Sequence, residues 1–251
     1  ESQYNNTGGQ NVAIGGDTLR IADGGETGNV AIGTSVMDVL NNDGSDHNVA
    51  IGNYSLRGGT GLLARNIAIG YQAMGETRQN NIGGVDNVFM GYQAGAGHWI
   101  TAASNYNVAI GSYAMDGALN GALNNTAVGH GSLSGITSGD NNTAIGYLAL
   151  NDSTSAGNNV AIGADASHKL TTANKNVAVG NLASYFNETG IYNVSIGYEA
   201  MKGASGNSHS NNVAVGYLAL TSVTTGGSNV AIGTNAGNSL TSGGSNIMIG
   251  N

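Results

Sequence analysis

The chain has 251 residues, with 43 glycines, no proline, no cysteine and a formal net charge of -8 at pH 7. Without thiols there is no disulfide and no thiolate metal site. The acidic balance, with only seven scattered Lys and Arg, excludes the clustered cations of a nucleic-acid-binding surface, and glycine this frequent without an every-third-residue period excludes collagen.

Residues 1–10 read as a lead-in. No signal-type apolar segment follows Glu1, so a mature product or a cut piece is expected, and no apolar run reaches the roughly 18 residues of a spanning helix. Membrane insertion is not expected. From Asn11 onward the pentapeptide Asn-Val-Ala-Ile-Gly, or a near variant, recurs fourteen times, ending on glycines from Gly15 to Gly250 at intervals of 17 to 21 residues. Such a period makes residues 11–251 a single repeat domain whose repeats contact their neighbours.

Inside each motif, β-branched residues stand two apart (Val12 and Ile14, Thr126 and Val128), so a strand points both to one face. The residue between them is Ala in eleven of fourteen repeats and points to the other. The expectation is that Val and Ile, with the Leu or Met that follows four residues after most motif glycines, fill a thin core. The alanine face is then expected to pack closely against another layer, and a parallel homotrimer built on alanine faces supplies that layer. Identical strands at near-identical spacing predict an all-β parallel β-solenoid, with about 4.8 Å between coils and a rod on the order of 60 Å. Asn142 and Asn212 stand for an asparagine ladder along the stack. Ile145 and Val215 stand for the core positions, and Gly146 and Gly216 for a backbone geometry or close approach that a Cβ would forbid.

Candidate sites follow in chain order. Asp23 with Glu26, or Asp43 with Asp46, is the least unsuitable carboxylate pair for glycoside hydrolysis; no pair recurs across adjacent coils, and catalysis is not expected. Asp43, Asp46 and His47 could offer oxygen and nitrogen ligands to Ca²⁺, but the pattern of a calcium loop is missing, so an exposed polar turn is expected and no metal. The stretch Gly70 to Gly111 holds the two longest intervals and an unusual set: Arg78, Phe89, Tyr92, His98, Trp99 and Tyr106. Long inserts on rigid scaffolds are where binding tends to sit, and an exposed Trp99 could stack on a sugar ring. The competing reading has Trp99 and Phe89 filling a wider coil. Phe89, Ser195 and Met248 replace the motif alanine and suggest local widening. Tyr71, Tyr92, Tyr147, Tyr198 and Tyr217 directly follow motif glycines, either as an aromatic ladder or as a grip for glycans. His47, His98, His130, His168 and His209 share no spacing and read as surface residues. Threonine forms no regular column, which argues against an ice-binding array. No cofactor motif occurs.

The segments Asn142-Thr143-Ala144-Ile145-Gly146-Tyr147-Leu148-Ala149-Leu150 and Asn212-Val213-Ala214-Val215-Gly216-Tyr217-Leu218-Ala219-Leu220 resemble the repetitive shafts of phage tail fibres. The motif itself is also similar to the YadA-like heads of trimeric autotransporter adhesins. The resemblance implies a homotrimer of left-handed parallel β-rolls with a structural and adhesive role, extracellular, on a virion tail fibre or on a bacterial cell surface. Its implied partners are the chain itself and a bacterial surface polysaccharide; a polysaccharide-degrading spike is the enzymatic alternative.

Overall fold

A computed structural model describes residues 9–22, 25–40, 44–58, 61–75, 83–99 and 102–251. Among these residues there is no helix, and the chain is an all-β parallel β-solenoid. Its backbone falls into two compact units, Glu1–Val128 and Gly129–Asn251. The first contains β1 (Val12–Ile14), β2 (Ile21–Ala22), β3 (Val30–Ile32), β4 (Val39–Leu40), β5 (Val49–Ile51), β6 (Leu62–Ala64), β7 (Ile67–Ile69), β8 (Gly83–Val85), β9 (Val88–Met90), β10 (Val108–Ile110) and β11 (Thr126–Val128). The second contains β12 (Thr143–Ile145), β13 (Val160–Ile162), β14 (Val177–Val179), β15 (Val194–Ile196), β16 (Val213–Val215), β17 (Val230–Ile232) and β18 (Ile247–Ile249).

Every motif is one of these three-residue strands, and the strands stack in parallel and in register. In the first unit Ala31 lies over Ala13 and Ala50 over Ala31; in the second Ala161 lies over Ala144 and Ala178 over Ala161. Two short side sheets, β2 with β4 and β6 with β8, belong to the longer repeats of the first unit.

The asparagine ladder is present in both units. Asn159 shows its bonding: its Nδ2 donates to Asn142 Oδ1 at 3.1 Å and to the Ala173 carbonyl at 2.9 Å. Its Oδ1 accepts the Asn176 backbone N–H at 2.9 Å and Asn176 Nδ2 at 3.3 Å. Buried amides satisfied on every side in this way stabilise the stack, whereas a half-satisfied one would destabilise it. The motif glycine closes the strand. Gly146 has φ +141°, and a Cβ there would lie 2.3 Å from the Gly163 carbonyl oxygen, so both conformation and space demand glycine.

Tight corners also put side-chain-bearing residues at positive φ: Asn141 at 59°, Leu148 at 52° and Leu150 at 52° occupy three such corners of one coil. Each costs roughly 1–2 kcal/mol relative to the right-handed region. Hydrogen bonds between coils hold them, as when Leu148 N–H donates to the His130 carbonyl and Leu150 N–H to that of Ala166, both at 3.0 Å.

The interior corrects one expectation. The motif alanines from Ala31 to Ala231 are fully buried, with Ala200, Ala219 and the following Met201 and Leu220 packed against them. The β-branched residues face outward: Ile145, Ile162 and Ile196 remain 38–39% exposed. A coil of some seventeen residues leaves a narrow lumen. The second wall already fills it with Leu and Met, so only a methyl group fits at the strand centre.

The alanine replacements are matched on the opposite wall, the two bulky ones by glycines and Ser195 by a serine. Gly95 stands where other coils carry Leu or Met, and a Cβ on it would lie 2.4 Å from Phe89 Cδ1. Gly237 stands at the same position, and its Cβ would lie 2.8 Å from Met248 Cε. Ser195 meets Ser184, also at that position, with the two hydroxyl oxygens 2.9 Å apart.

Candidate functional site

Trp99 is 2% exposed, so it presents no ring to a ligand. It packs edge-on against Phe89 with ring centroids 5.9 Å apart, and its Nε1 donates to the Gly95 carbonyl at 3.3 Å. Gly84 makes room, since a Cβ there would lie 2.2 Å from Trp99 Cζ3. The pair fills its coil, and Trp99 has no accessible face on which a sugar could stack. Arg78 lies outside the described residues. His98 and Tyr106 are exposed, with Tyr106 at a corner (φ 61°) directly before Asn107. The structure brings Phe89 and Trp99 together inside the coil and places Tyr92 in a separate row of rings with Tyr71 and Tyr113.

Tyr92 belongs to an aromatic ladder of successive coils in the first unit. Tyr71 and Tyr92 stack with centroids 5.4 Å apart and planes 10° apart, and Tyr54 and Tyr113 extend the row edge-on. Proximity to Tyr113 holds the Tyr92 phenol above its ordinary pKa. In the second unit Tyr198 and Tyr217 stack at 5.5 Å, and Tyr147 stacks on His130. Stacking sets one face of each ring against its neighbour, so these faces serve coil-to-coil packing, about 0.5–1.5 kcal/mol per pair.

The polar candidates resolve into structural roles. Asp46 Oδ1 accepts the Thr27 backbone N–H at 2.7 Å, while His47 is exposed; Asp43 and Asp23 lie outside the described residues, and Glu26 is buried. Among the described residues no three His, Cys, Asp or Glu side chains are placed to share a metal ion. Asp86 and Arg65 form a two-pronged pair between coils at 2.7 and 2.8 Å, which lowers the carboxyl pKa and raises that of the guanidinium.

Two histidines are not surface residues. His168 is largely buried, with Nδ1 2.8 Å from Asp165 Oδ1. His209 is 1% exposed, neither ring nitrogen has a hydrogen-bond partner, and burial pushes its pKa down to about 4. It occupies a position where neighbouring coils have Gly190 and Gly226.

Two surface features emerge from the coil geometry. The first is the apolar stripe of outward Val and Ile on the motif strands. The second lies on the turn before those strands in the second unit. There the residue four places ahead of each motif asparagine, from Ser138 to Ser242, is Ser or Thr and exposed in every coil. Lys175 and Tyr192, each directly before a motif asparagine on successive coils, form a cation–π pair at 5.2 Å, with Lys175 Nζ donating to Tyr192 Oη at 3.3 Å. Alignment of the repeats on their asparagines would have exposed the hydroxyl column, because it depends on distance to the next motif and not to the previous one. Set against protein-family models, curated proteins and solved structures, the chain matches none of them.

Proposed function

We propose that this chain is a structural and adhesive fibre segment: a homotrimeric shaft, of the kind found in phage tail fibres, that presents its outer turns to a bacterial surface glycan. The observation that carries the reading is the apolar stripe. Ile145, Ile162, Ile196 and Ile232 stay 38–42% exposed in the second unit, as do Ile51 and Ile110 at 36% and 41% in the first. Stripes of this length and regularity mark an interaction surface. Covering what remains exposed gives about 1 kcal/mol per isoleucine, and the sum over the coils of either unit suffices to hold copies together. Stacked, identical coils favour copies that run parallel around a common axis; the number three follows the tail-fibre resemblance. The role is mechanical and adhesive, outside the cell, without catalysis.

Light scattering tests it. A mass of about 75 kDa, three times the 25.0 kDa chain, is expected for a closed threefold oligomer. The variant Ile162→Glu with Ile196→Glu, which puts charge on the stripe and leaves the interior untouched, is expected at the mass of one chain with its fold intact. A single-chain mass for the wild type, or a full oligomer for the double variant, would overturn the reading.

A further inference from the structure

The hydroxyl column of the second unit is not required by the coil. Ahead of the motif asparagines from Asn29 to Asn125 in the first unit, the equivalent positions hold Gly25, Gly44, Leu62, Gly83, Ala103 and Gly121, so the same stacked turn accepts no side chain, a methyl or an isobutyl group. One residue before the column, Thr154 and Thr171 donate their hydroxyls to the Thr171 and Glu188 carbonyls at 3.3 and 3.1 Å, which binds coil to coil. The column itself faces solvent, and within it the Thr189 and Ser208 hydroxyls hydrogen-bond to each other from coil to coil.

A second observation is independent of the column. Of the three lysines in this unit, Lys169 pairs with Asp152 at 2.8 Å and Lys202 with Glu199 at 3.1 Å. Lys175 stands over Tyr192 instead, both side chains are exposed, and they lie three residues from the exposed hydroxyls of Thr172 and Thr189. In a chain of net charge -8, a lysine held by a phenol and not by a carboxylate keeps its charge available to an outside anion.

We propose that this strip, centred on Lys175 and Tyr192, docks a linear acidic polysaccharide laid along the coil stack. Each hydroxyl donates and accepts, so it can meet sugar hydroxyls in either sense. Tyr192 offers an amphipathic ring to the C–H face of a sugar, and Lys175 offers a charge-assisted bond to a uronate carboxylate. At about 4.8 Å per coil the column runs for roughly 30 Å, long enough for several sugars whose weak contacts add. Glu188, the acidic member of the adjoining threonine row, is engaged within the stack, where its Oε1 accepts the Gly206 N–H at 2.9 Å. Asp140, two residues after Ser138 in the same turn, and the carboxylates elsewhere repel an anionic polymer, which centres binding on Lys175 and makes it sensitive to salt. The inference deepens the fibre reading by naming the class of glycan, and rests on it for the premise that a glycan is the partner.

The test uses polygalacturonate and neutral dextran as immobilised probes, with the full chain, Lys175→Gln, Tyr192→Ala and Thr172→Val with Thr189→Val. Urea midpoints confirm that these surface variants keep the stack, and light scattering on the same samples reports the oligomer. The wild type is expected to bind polygalacturonate at low salt and dextran at least tenfold more weakly. Lys175→Gln and Tyr192→Ala are each expected to lose tenfold or more, and the double valine variant several-fold. Equal binding of the two polymers, variants that bind like the wild type, or no binding by a wild type of trimeric mass overturns the strip while leaving the fibre reading in place. A wild type of single-chain mass overturns the fibre reading instead, and binding by that monomer, lost in the variants, still supports the strip.

Discussion

Replacing Asn159 by alanine probes what holds one coil to the next. The side chain is buried and makes four hydrogen bonds, two as donor to Asn142 Oδ1 and the Ala173 carbonyl and two as acceptor from Asn176. Alanine removes all four and orphans the Asn176 N–H and the Ala173 carbonyl, whereas Asn176 Nδ2 keeps the Asn174 and Gly190 carbonyls as acceptors. Each buried orphan costs about 1–3 kcal/mol; with partial relaxation the total is about 3–5 kcal/mol, a large share of the 5–15 kcal/mol typical of a domain. Asn159→Asp keeps the acceptor for Asn176 but turns a second oxygen toward two other oxygens, so it should be as damaging at pH 7 and milder once the carboxyl is protonated. Urea unfolding followed by far-UV circular dichroism measures both. The control is Asn181→Ala, an exposed amide donating to the Ala164 carbonyl at 3.1 Å, which should cost below about 1 kcal/mol. An Asn159→Ala loss no greater than that of the control would refute the ladder as the source of coil-to-coil stability.

Two further outcomes are expected. His209 has a folded-state pKa of about 4 against 6.5 for the free imidazole, so the unfolded chain binds the extra proton between those values. Stability is then full above pH 6.5 and falls through the window by a total on the order of 3 kcal/mol. Urea midpoints at pH 7 and pH 4.5 should diverge for the wild type more than for His209→Ala, and parallel curves would remove the effect. In the coil of Phe89, Gly95→Leu alone should destabilise by about 1–3 kcal/mol through overpacking and Phe89→Ala alone by about 3–5 kcal/mol through a cavity. The double variant should be more stable than Phe89→Ala alone, and additive losses in the double-mutant cycle would contradict direct compensation.

Much of this fold is legible in the residues. The period sets the stack, the asparagine at each strand start sets the ladder, and the invariant spacing of asparagine and glycine sets parallel register. The inward face was not legible from alternation, because a three-residue strand offers two faces without saying which is enclosed. Thr126 and Thr143 carried the missing signal: a hydroxyl at a supposed core position needs a partner, whereas on an outward face it meets water. The strict smallness of the strand centre points the same way, since a confined space tolerates less variation in volume than an open one. Trp99 misled for a similar reason. A lone tryptophan in a long repeat suggests display, but Gly84 and Gly95, two missing side chains nearby, marked the volume it fills. His209 could not be placed from spacing, because burial there depends on a lumen that small residues vacate in neighbouring coils.

The matching of Phe89 with Gly95 and of Met248 with Gly237 bears on how such an array can change over time. A chain of near-identical repeats invites duplication, deletion and exchange of whole units by recombination. The strand centre and the residue it meets on the opposite wall are six residues apart for Phe89 and Gly95, but eleven apart for Gly237 and Met248, which a turn and the start of a new motif separate. A crossover between them would join a bulky centre to a leucine, or a methyl to an empty wall. The units that recombination can shuffle freely are therefore the plain alanine coils, while each exceptional coil must be inherited together with its complement.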